Sequence, residues 1–472
     1  MTFQPVTWVA CALLCASTAS PGRAEEGNPD VPTSPRKGAA APAVAPDPAL
    51  SQLFDVQEAT LANGMRVRLW PNPAVPTVSL HLFYRVGSRN ERPGITGISH
   101  LFEHMMFNGS KKFGPRMFDL TLESAGGSSN AYTSTDLTVY HEEFAAEALE
   151  TVFDLESDRM RALAISDKML SSEREVVKEE RRLRVDNDPM GLMDEELQSL
   201  AFKAHPYRWP VIGWMADIDN IRREDCEQYF RTYYAPNNAV LYLSGAFEPK
   251  KALALIKKYF GTIKKGPAVP GVLDAEPEPL GERRAEVAYP AQAPAVMVAF
   301  RGPAASSEDT LVLDVIQFAV SVGEGSRFTR DLVYKKELAL SVGVDWSWRI
   351  DPGLFVAVAQ LKPGGTPSSV EEAMQAEFEK IAKEGLSEKE LQKAKNNLRA
   401  QQLRELSTNG GRAHALGTYE TFLGDWREAL KLPGRYAAIT NDQVKAAAAK
   451  YLARDRRVTV TLKPLPTEGA AE

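Results

Sequence analysis

His100, Glu103 and His104 stand together in GISHLFEHMMFNGS, residues 97 to 110. On a helix, residues four apart project from one face, so His100 and His104 can grip a single metal ion. Glu103 falls on the flank of that face, close enough to take a proton from a water that the metal activates. The order H-x-x-E-H inverts the H-E-x-x-H of better-known zinc peptidases. With only 6 histidines in 472 residues, a chance H-x-x-E-H somewhere in the chain is about a 1-in-200 event.

A catalytic zinc needs three protein ligands and an open position, so one ligand is missing. His81, His141, His205 and the carboxylates are candidates. The segment SEREVVKEERRLR, residues 172 to 184, supplies the best of them. At about 100° per residue, Met169, Leu170, Glu173, Val176, Val177, Glu180 and Leu183 share one helix face. Two carboxylates then sit within an apolar stripe, where each is costly unless it meets a cation. Helix geometry alone leaves that cation open: a metal, or a neighbouring arginine.

The elements that must hold these residues occur twice. Displaced by 216 residues, PTVSLHLFYRVG (76 to 87) lies over QAPAVMVAFRGP (292 to 303), and Gly109-Ser110 falls on Gly325-Ser326. At a displacement of 221, ISDKMLSSEREVVKEE (165 to 180) lies over LSEKELQKAKNNLRAQ (386 to 401), both reading as helices opened by a serine N-cap. Strand-like runs mixed with long amphipathic helices predict a duplicated α+β fold, each half a mixed or antiparallel sheet with helices packed on it. His100, Glu103 and His104 fall on Ile316, Ala319 and Val320, while Glu173 and Glu180 fall on Ala394 and Gln401. The second copy shows that packing does not require the polar residues. They are additions.

Length implies more than one domain, and 44% hydrophobic with 25% charged residues is the balance of a soluble globular protein. A net charge of -6 gives no reason to expect nucleic acid as partner. No apolar run is long enough to span a bilayer. Residues 8 to 19, WVACALLCASTA, followed by GRA at 22 to 24, read as a secretory signal over 1–24, although no Lys or Arg precedes the run. Export to the periplasm is therefore expected, with a lipid anchor on Cys11 or Cys15 as a variant. Cys226 then stands alone, without an internal disulfide. Residues 25–50, rich in Pro and Ala, read as a tether that cannot bury a core. The expected domains are a catalytic one over 51–264, a Pro-rich linker over 265–284, a degenerate copy over 285–465 and a tail over 466–472.

H-x-x-E-H, with a further glutamate 76 residues after the second histidine inside E-R-x-V-V-x-x-E, resembles the pitrilysin or inverzincin metallopeptidases. Within that family the motifs look like those of the branch with mitochondrial processing peptidase and its two-subunit bacterial relatives. The resemblance runs from about Gln57 to Leu465 and includes AGGSSNAYTSTDLTVY (125 to 140) and HPYRWPVIG (205 to 213). It implies one zinc per chain on His100, His104 and Glu180, with Glu103 as catalytic base and Glu173 as a supporting acid. It also implies a strand edge at Asn130 and Ala131 that pairs with an extended peptide substrate. His205 matches a motif that supplies no ligand, and His141 matches none.

One part of the pattern is missing. Self-sufficient relatives carry an Arg and, seven residues on, a Tyr, in a stretch resembling L-R-E-x-x-x-L-A-Y-S-V. Here LVYKKELALSV (332 to 342) has Val333 and Leu340 at those positions, with Arg330 and Tyr334 out of register. The resemblance then implies a homologous partner subunit that supplies the pair. The expected function is that of a zinc-dependent endopeptidase; the alternative is a non-catalytic peptide-binding or scaffold subunit of such a heterodimer.

Overall fold

The computed structural model describes residues 54–466, with Ala45 and Ser51. The expected signal, almost all of the tether and residues 467–472 of the tail lie outside the described residues.

The first half holds β1 (Gln57–Thr60), β2 (Arg66–Pro71), β3 (Thr77–Tyr84), β4 (Ser128–Thr133), β5 (Thr138–Ala145) and β6 (Ala239–Gly245). Its helices are α1 (Ile98–Met105), α2 (Met117–Ser124), α3 (Leu149–Ala162), α4 (Asp167–Arg181), α5 (Pro189–Ala201), α6 (Met215–Asn220), α7 (Arg223–Tyr233) and α8 (Pro249–Phe260). The second half holds β7 (Arg283–Pro290), β8 (Ala295–Arg301), β9 (Ala339–Trp346), β10 (Leu354–Leu361) and β11 (Arg457–Leu465). Its helices are α9 (Glu308–Ser321), α10 (Pro367–Glu384), α11 (Glu388–Glu405), α12 (Asn409–Leu423), α13 (Leu432–Ala438) and α14 (Asn441–Tyr451). No helix is long and apolar enough to cross a membrane among the described residues.

The sheets run β1-β2-β6-β3-β5-β4 and β7-β11-β8-β10-β9. Without β1 the two orders correspond strand for strand. Even the exceptions match: β2 with β6 and β7 with β11 are the parallel pairs, and every other pairing is antiparallel. The duplicated α+β architecture expected from sequence is present. Central β3 is buried on both faces after its first residue, whereas edge strand β7 alternates along its length. Ser166 and Ser387 cap α4 and α11, their side chains accepting from the amides of Met169 and Glu390.

Each half also lends a helix to the other. On α5 and just beyond it, Met193, Leu197 and Phe202 pack against Ala295, Met297 and Val460 of the second sheet. In return α12 crosses onto β3 and β6, joining Phe83, Trp70 and Tyr242 in one core with Ala413 and Leu416. Gly417 makes that crossing possible, since a Cβ there would meet the Phe83 ring at 2.2 Å. Buried Glu420 completes it with ion pairs to Arg66 (2.6 Å) and Arg68 (2.8 Å).

Candidate metal centre

Packing fixes α1 before any metal is considered. Ile98, Leu101, Phe102 and Met105 bury one face in the first-half core. The helix starts at Gly97, with φ +82° and a Cβ position only 2.3 Å from the Ile212 carbonyl, so only glycine fits. That carbonyl belongs to HPYRWPVIG, which here serves as the wall behind α1. The α1 amides are met by Glu91, whose carboxylate accepts from Gly97 N (3.0 Å) and Ser99 N (2.8 Å). Burial pushes Glu91 up to about 8 despite those bonds.

The side of α1 that carries His100, Glu103 and His104 meets α4. Ligand atoms of His100, His104 and Glu180 all lie within 4.8 Å of one another. Glu180 Oε2 is 3.2 Å from His104 Nε2 and 3.7 Å from His100 Nε2. Its other oxygen, Oε1, pairs with Arg184 at 3.0 Å. Glu173 Oε1 meets His104 Nδ1 at 2.9 Å, and its Oε2 accepts from the Asn108 side chain. A carboxylate on Nδ1 fixes the ring and turns Nε2 toward the centre, the usual support of a metal-binding histidine. Nδ1 of His100 is buried and has no hydrogen-bond partner among the described residues. Glu103 stands beside the cluster, next to Thr133 on β4.

Electrostatics follow from this crowding. Burial, with the charge on His104 beside it, holds His100 down to about 3. Burial works against a proton on His104 too, but hydrogen bonds to Glu173 and Glu180 outweigh it and raise that imidazole to about 9. Glu180 is held at about 2 against the effect of burial, by the His104 bond and then the charges of His100 and Arg184. Burial lifts Glu103 above the ordinary carboxylate range, partly offset by Thr133. Two ionised acids thus face one imidazolium. A divalent cation on two imidazole nitrogens and one carboxylate oxygen would take over that charge balance, and zinc suits those donors. The residues fit the ion.

The stripe expected on the Glu180 helix needs correction. Leu170 and Val177 are buried, but Val176 is 48% and Leu183 72% exposed. After Arg181 the chain enters a π-helical turn, Arg182–Asp186, which shifts the register and swings Leu183 off the buried face. Glu173 and Glu180 lie at the rim of the buried stripe, not within it. The other histidines stand elsewhere. His81 and His141 face each other across β3 and β5, and His205 caps a short turn while its Nε2 meets Asp351 at 3.0 Å. Sequence reading missed Asn108, Arg184, Thr133 and Glu91. Asn108 at i+4 from His104, and Arg184 at i+4 from Glu180, were the available signals.

Among the described residues strand β4 pairs only with β5, which leaves its outer edge open there. Ala131 packs on the α1 side, while Asn130, the register partner of His141, belongs to the opposite face. Asn130 Oδ1 accepts from the Ala131 amide at 2.8 Å. In the second half Ile316, Ala319 and Val320 are buried on α9. Arg330 there pairs with Asp331, the Tyr334 hydroxyl pairs with Glu324, and Leu340 is exposed.

Comparison with known proteins decides the family. Residues 66–213 match the profile of Insulinase (Peptidase family M16), and residues 220–398 match that of the Peptidase M16 inactive domain. The chain belongs to peptidase family M16. Zinc protease PqqE of Helicobacter pylori is 30% identical over 424 residues, 88% of this chain and 94% of that protein. The probable mitochondrial-processing peptidase subunit beta of Arabidopsis thaliana is 26% identical over 404 residues, 83% of this chain and 75% of that one. The crystal structure of a protease from Helicobacter pylori has a TM-score of 0.85 at 29% identity, covering 87% of this chain and 100% of that chain. The periplasmic protease PqqL from Escherichia coli shares the fold, with a TM-score of 0.72 at 19% identity, over 91% of this chain and 50% of that one. The relatives' names support an M16 peptidase-type function and zinc. The inactive-domain match includes α9, where buried Ile316, Ala319 and Val320 stand in place of the polar cluster.

Proposed function

We propose that this M16 chain is an exported zinc-dependent endopeptidase that hydrolyses peptides or unfolded segments. The observation that carries the reading is the meeting of His100, His104 and Glu180, with Glu103 beside them and Glu173 behind His104. His100 Nε2, His104 Nε2 and Glu180 Oε2 are the atoms that would hold zinc. Bound there, zinc would supply Lewis-acid polarisation of a scissile carbonyl and of the attacking water. Glu103 takes the proton as water oxygen adds to the carbonyl carbon, and returns it to the leaving amine as the carbon–nitrogen bond breaks. Its raised proton affinity suits a group that must accept and then release. Thr133, which lies beside Glu103, belongs to the open edge strand, so the base stands next to the strand offered to a peptide backbone. Glu103→Gln should retain zinc and fold but lose about 10⁴-fold or more in peptide hydrolysis. Near-parental cleavage by that variant would remove Glu103 as base.

The same reading includes a partner. Val333 and Leu340 cannot donate a hydrogen bond to a developing oxyanion, and the Arg330 and Tyr334 side chains are engaged with Asp331 and Glu324. A homologous subunit facing this centre would supply the missing donors, giving a heterodimer with one zinc in this chain.

A further inference from the structure

Ile212 of HPYRWPVIG backs α1, but His205 and Tyr207 of the same stretch belong to a contact between the two halves. Residues 134–137 join β4 to β5, and residues 347–353 join β9 to β10, the corresponding strands of the second half. The two turns meet. Buried Asp136 in the first accepts from the Tyr207 hydroxyl at 2.6 Å and from the Ile350 amide of the second at 3.3 Å. That same hydroxyl accepts from the Asp351 amide at 3.1 Å. Arg89 pairs with Asp136 through Nε at 3.4 Å and also with Asp351, whose carboxylate meets His205 Nε2 at 3.0 Å. From behind, the amides of Ser88 and Arg89 donate to the carbonyls of Ser134 (3.2 Å) and Thr135 (2.9 Å). The approach is close enough that a Cβ on Gly87 would stand 2.3 Å from the Ser134 oxygen.

We propose that Tyr207 and Asp351 are positioning residues for the metal centre: they clasp the two turns together and so hold β4 in register for a peptide. The inference rests on the reading of β4 as the strand that pairs with a peptide backbone. That strand has 6 residues and, among the described residues, a single neighbouring strand, so its placement depends on what holds its ends. A slip of one residue would turn Ala131 and Thr133 away from α1 and Glu103. Asp136 opposes that slip. A buried carboxylate is costly without its donors, and here Arg89, Tyr207 and Ile350 bring them from separate segments of the chain. Thr133, at the side of Glu103, is the last residue of β4 before this turn. An edge strand fixed beforehand loses less freedom when a peptide pairs with it, so the clasp acts on binding. The second half thereby serves the centre without touching it.

The test is Tyr207→Phe in the full chain, read first by hydrogen exchange, which needs no catalysis. Exchange over residues 128–137 should quicken about 10-fold, with α1, α4 and zinc content unchanged. In peptide hydrolysis KM should rise about 10-fold while kcat stays near the parent's, because strand pairing is shared by ground and transition states. Asp351→Ala should move both readouts the same way but less far, and it carries the test should Tyr207→Phe fail to fold. Glu420→Gln is the control: it breaks the ion pairs to Arg66 and Arg68 elsewhere between the halves, and should lower Tm with neither change. Unchanged exchange over 128–137 in both variants, or faster exchange with KM unaltered, overturns the inference. A parent chain that hydrolyses nothing, while Tyr207→Phe still quickens the exchange, overturns the peptidase reading and leaves the clasp standing.

Discussion

Helices α1 and α9 occupy corresponding places in the two halves and have been put to different uses. At the displacement of 216 residues, Ile98 falls on Asp314 and Glu91 on Ser307. In the second half Ser307 caps α9, accepting from Asp309 N at 3.3 Å, and the helix runs for 14 residues. In the first half the residues corresponding to the opening turns of α9 form a loop with Gly94 and Gly97 at positive φ, and α1 keeps 8 residues. Glu91, standing where the cap serine stands, reaches across that loop to the α1 amides. The shortened helix then presents His100, Glu103 and His104 to α4, where α9 buries Ile316, Ala319 and Val320. The first half differs from the second by an opened helix and by polar side chains where the second has apolar ones. The scaffold stayed the same.

The largest effect comes from undoing that replacement. His100→Ile, Glu103→Ala, His104→Val, Glu173→Ala and Glu180→Gln together give the first half the side chains of the second. The variant should contain no metal and hydrolyse nothing, with a Tm equal to or above the parent's, because buried charges that depend on one another are gone. Elemental analysis and calorimetry decide it. Loss of fold would mean that the polar cluster is part of the core.

The second comparison is between the intact first half and the degenerate stretch around Val333 and Leu340. The chain purified alone should bind zinc and cleave peptides poorly, and a homologous subunit should restore a rate factor of ~10²–10³, the usual worth of oxyanion donors. Full activity from a homogeneous single chain would refute the partner.

Next in size is the third ligand. Glu180→Gln should weaken zinc binding by about 100-fold or more, while Glu179→Gln leaves it unchanged. The Glu179 side chain is 74% exposed and, among the described residues, pairs only with Arg182, so the two neighbours differ in geometry and little else. Equal zinc affinity in both would remove Glu180 from the ligand set.

Much of this was readable before the fold. The helical spacing of His100 and His104 needed no tertiary knowledge, and the paired element order announced the duplication. Glu180 was one of two acids on a stripe until the family resemblance singled it out, and the π-helical turn after Arg181 is a local irregularity that a regular 100° projection cannot foresee. The exchange of α5 and α12 was hidden for another reason. An apolar helix face says that the helix packs, but both sheets offer similar surfaces, and nothing local says which. Gly417 was the trace that crossing left, and a lone glycine inside a helix has too many explanations to be read.

The smallest effect tests the other helix. Asp314 sits on α9 at the position of Ile98, fully enclosed, accepting from the Tyr436 hydroxyl at 2.6 Å and from Trp348 Nε1 at 3.1 Å. Burial outweighs those donors and lifts its carboxyl to about 7. A carboxyl raised in the folded state favours folding while both states are protonated, below the ordinary range near 3.8. As pH climbs from there to about 7, the unfolded chain releases the proton and the folded one keeps it, so stability falls. Above that both are ionised and the penalty, on the order of a few kcal/mol, is constant. Asp314→Asn cannot ionise and retains an acceptor for Tyr436. Its Tm should match the parent's at low pH and exceed it increasingly as pH passes through the interval, the difference levelling off on the alkaline side. Parallel melting curves across that interval would show that Asp314 is already charged in the folded protein, and that α9 keeps a buried polar device of its own rather than a neutral one.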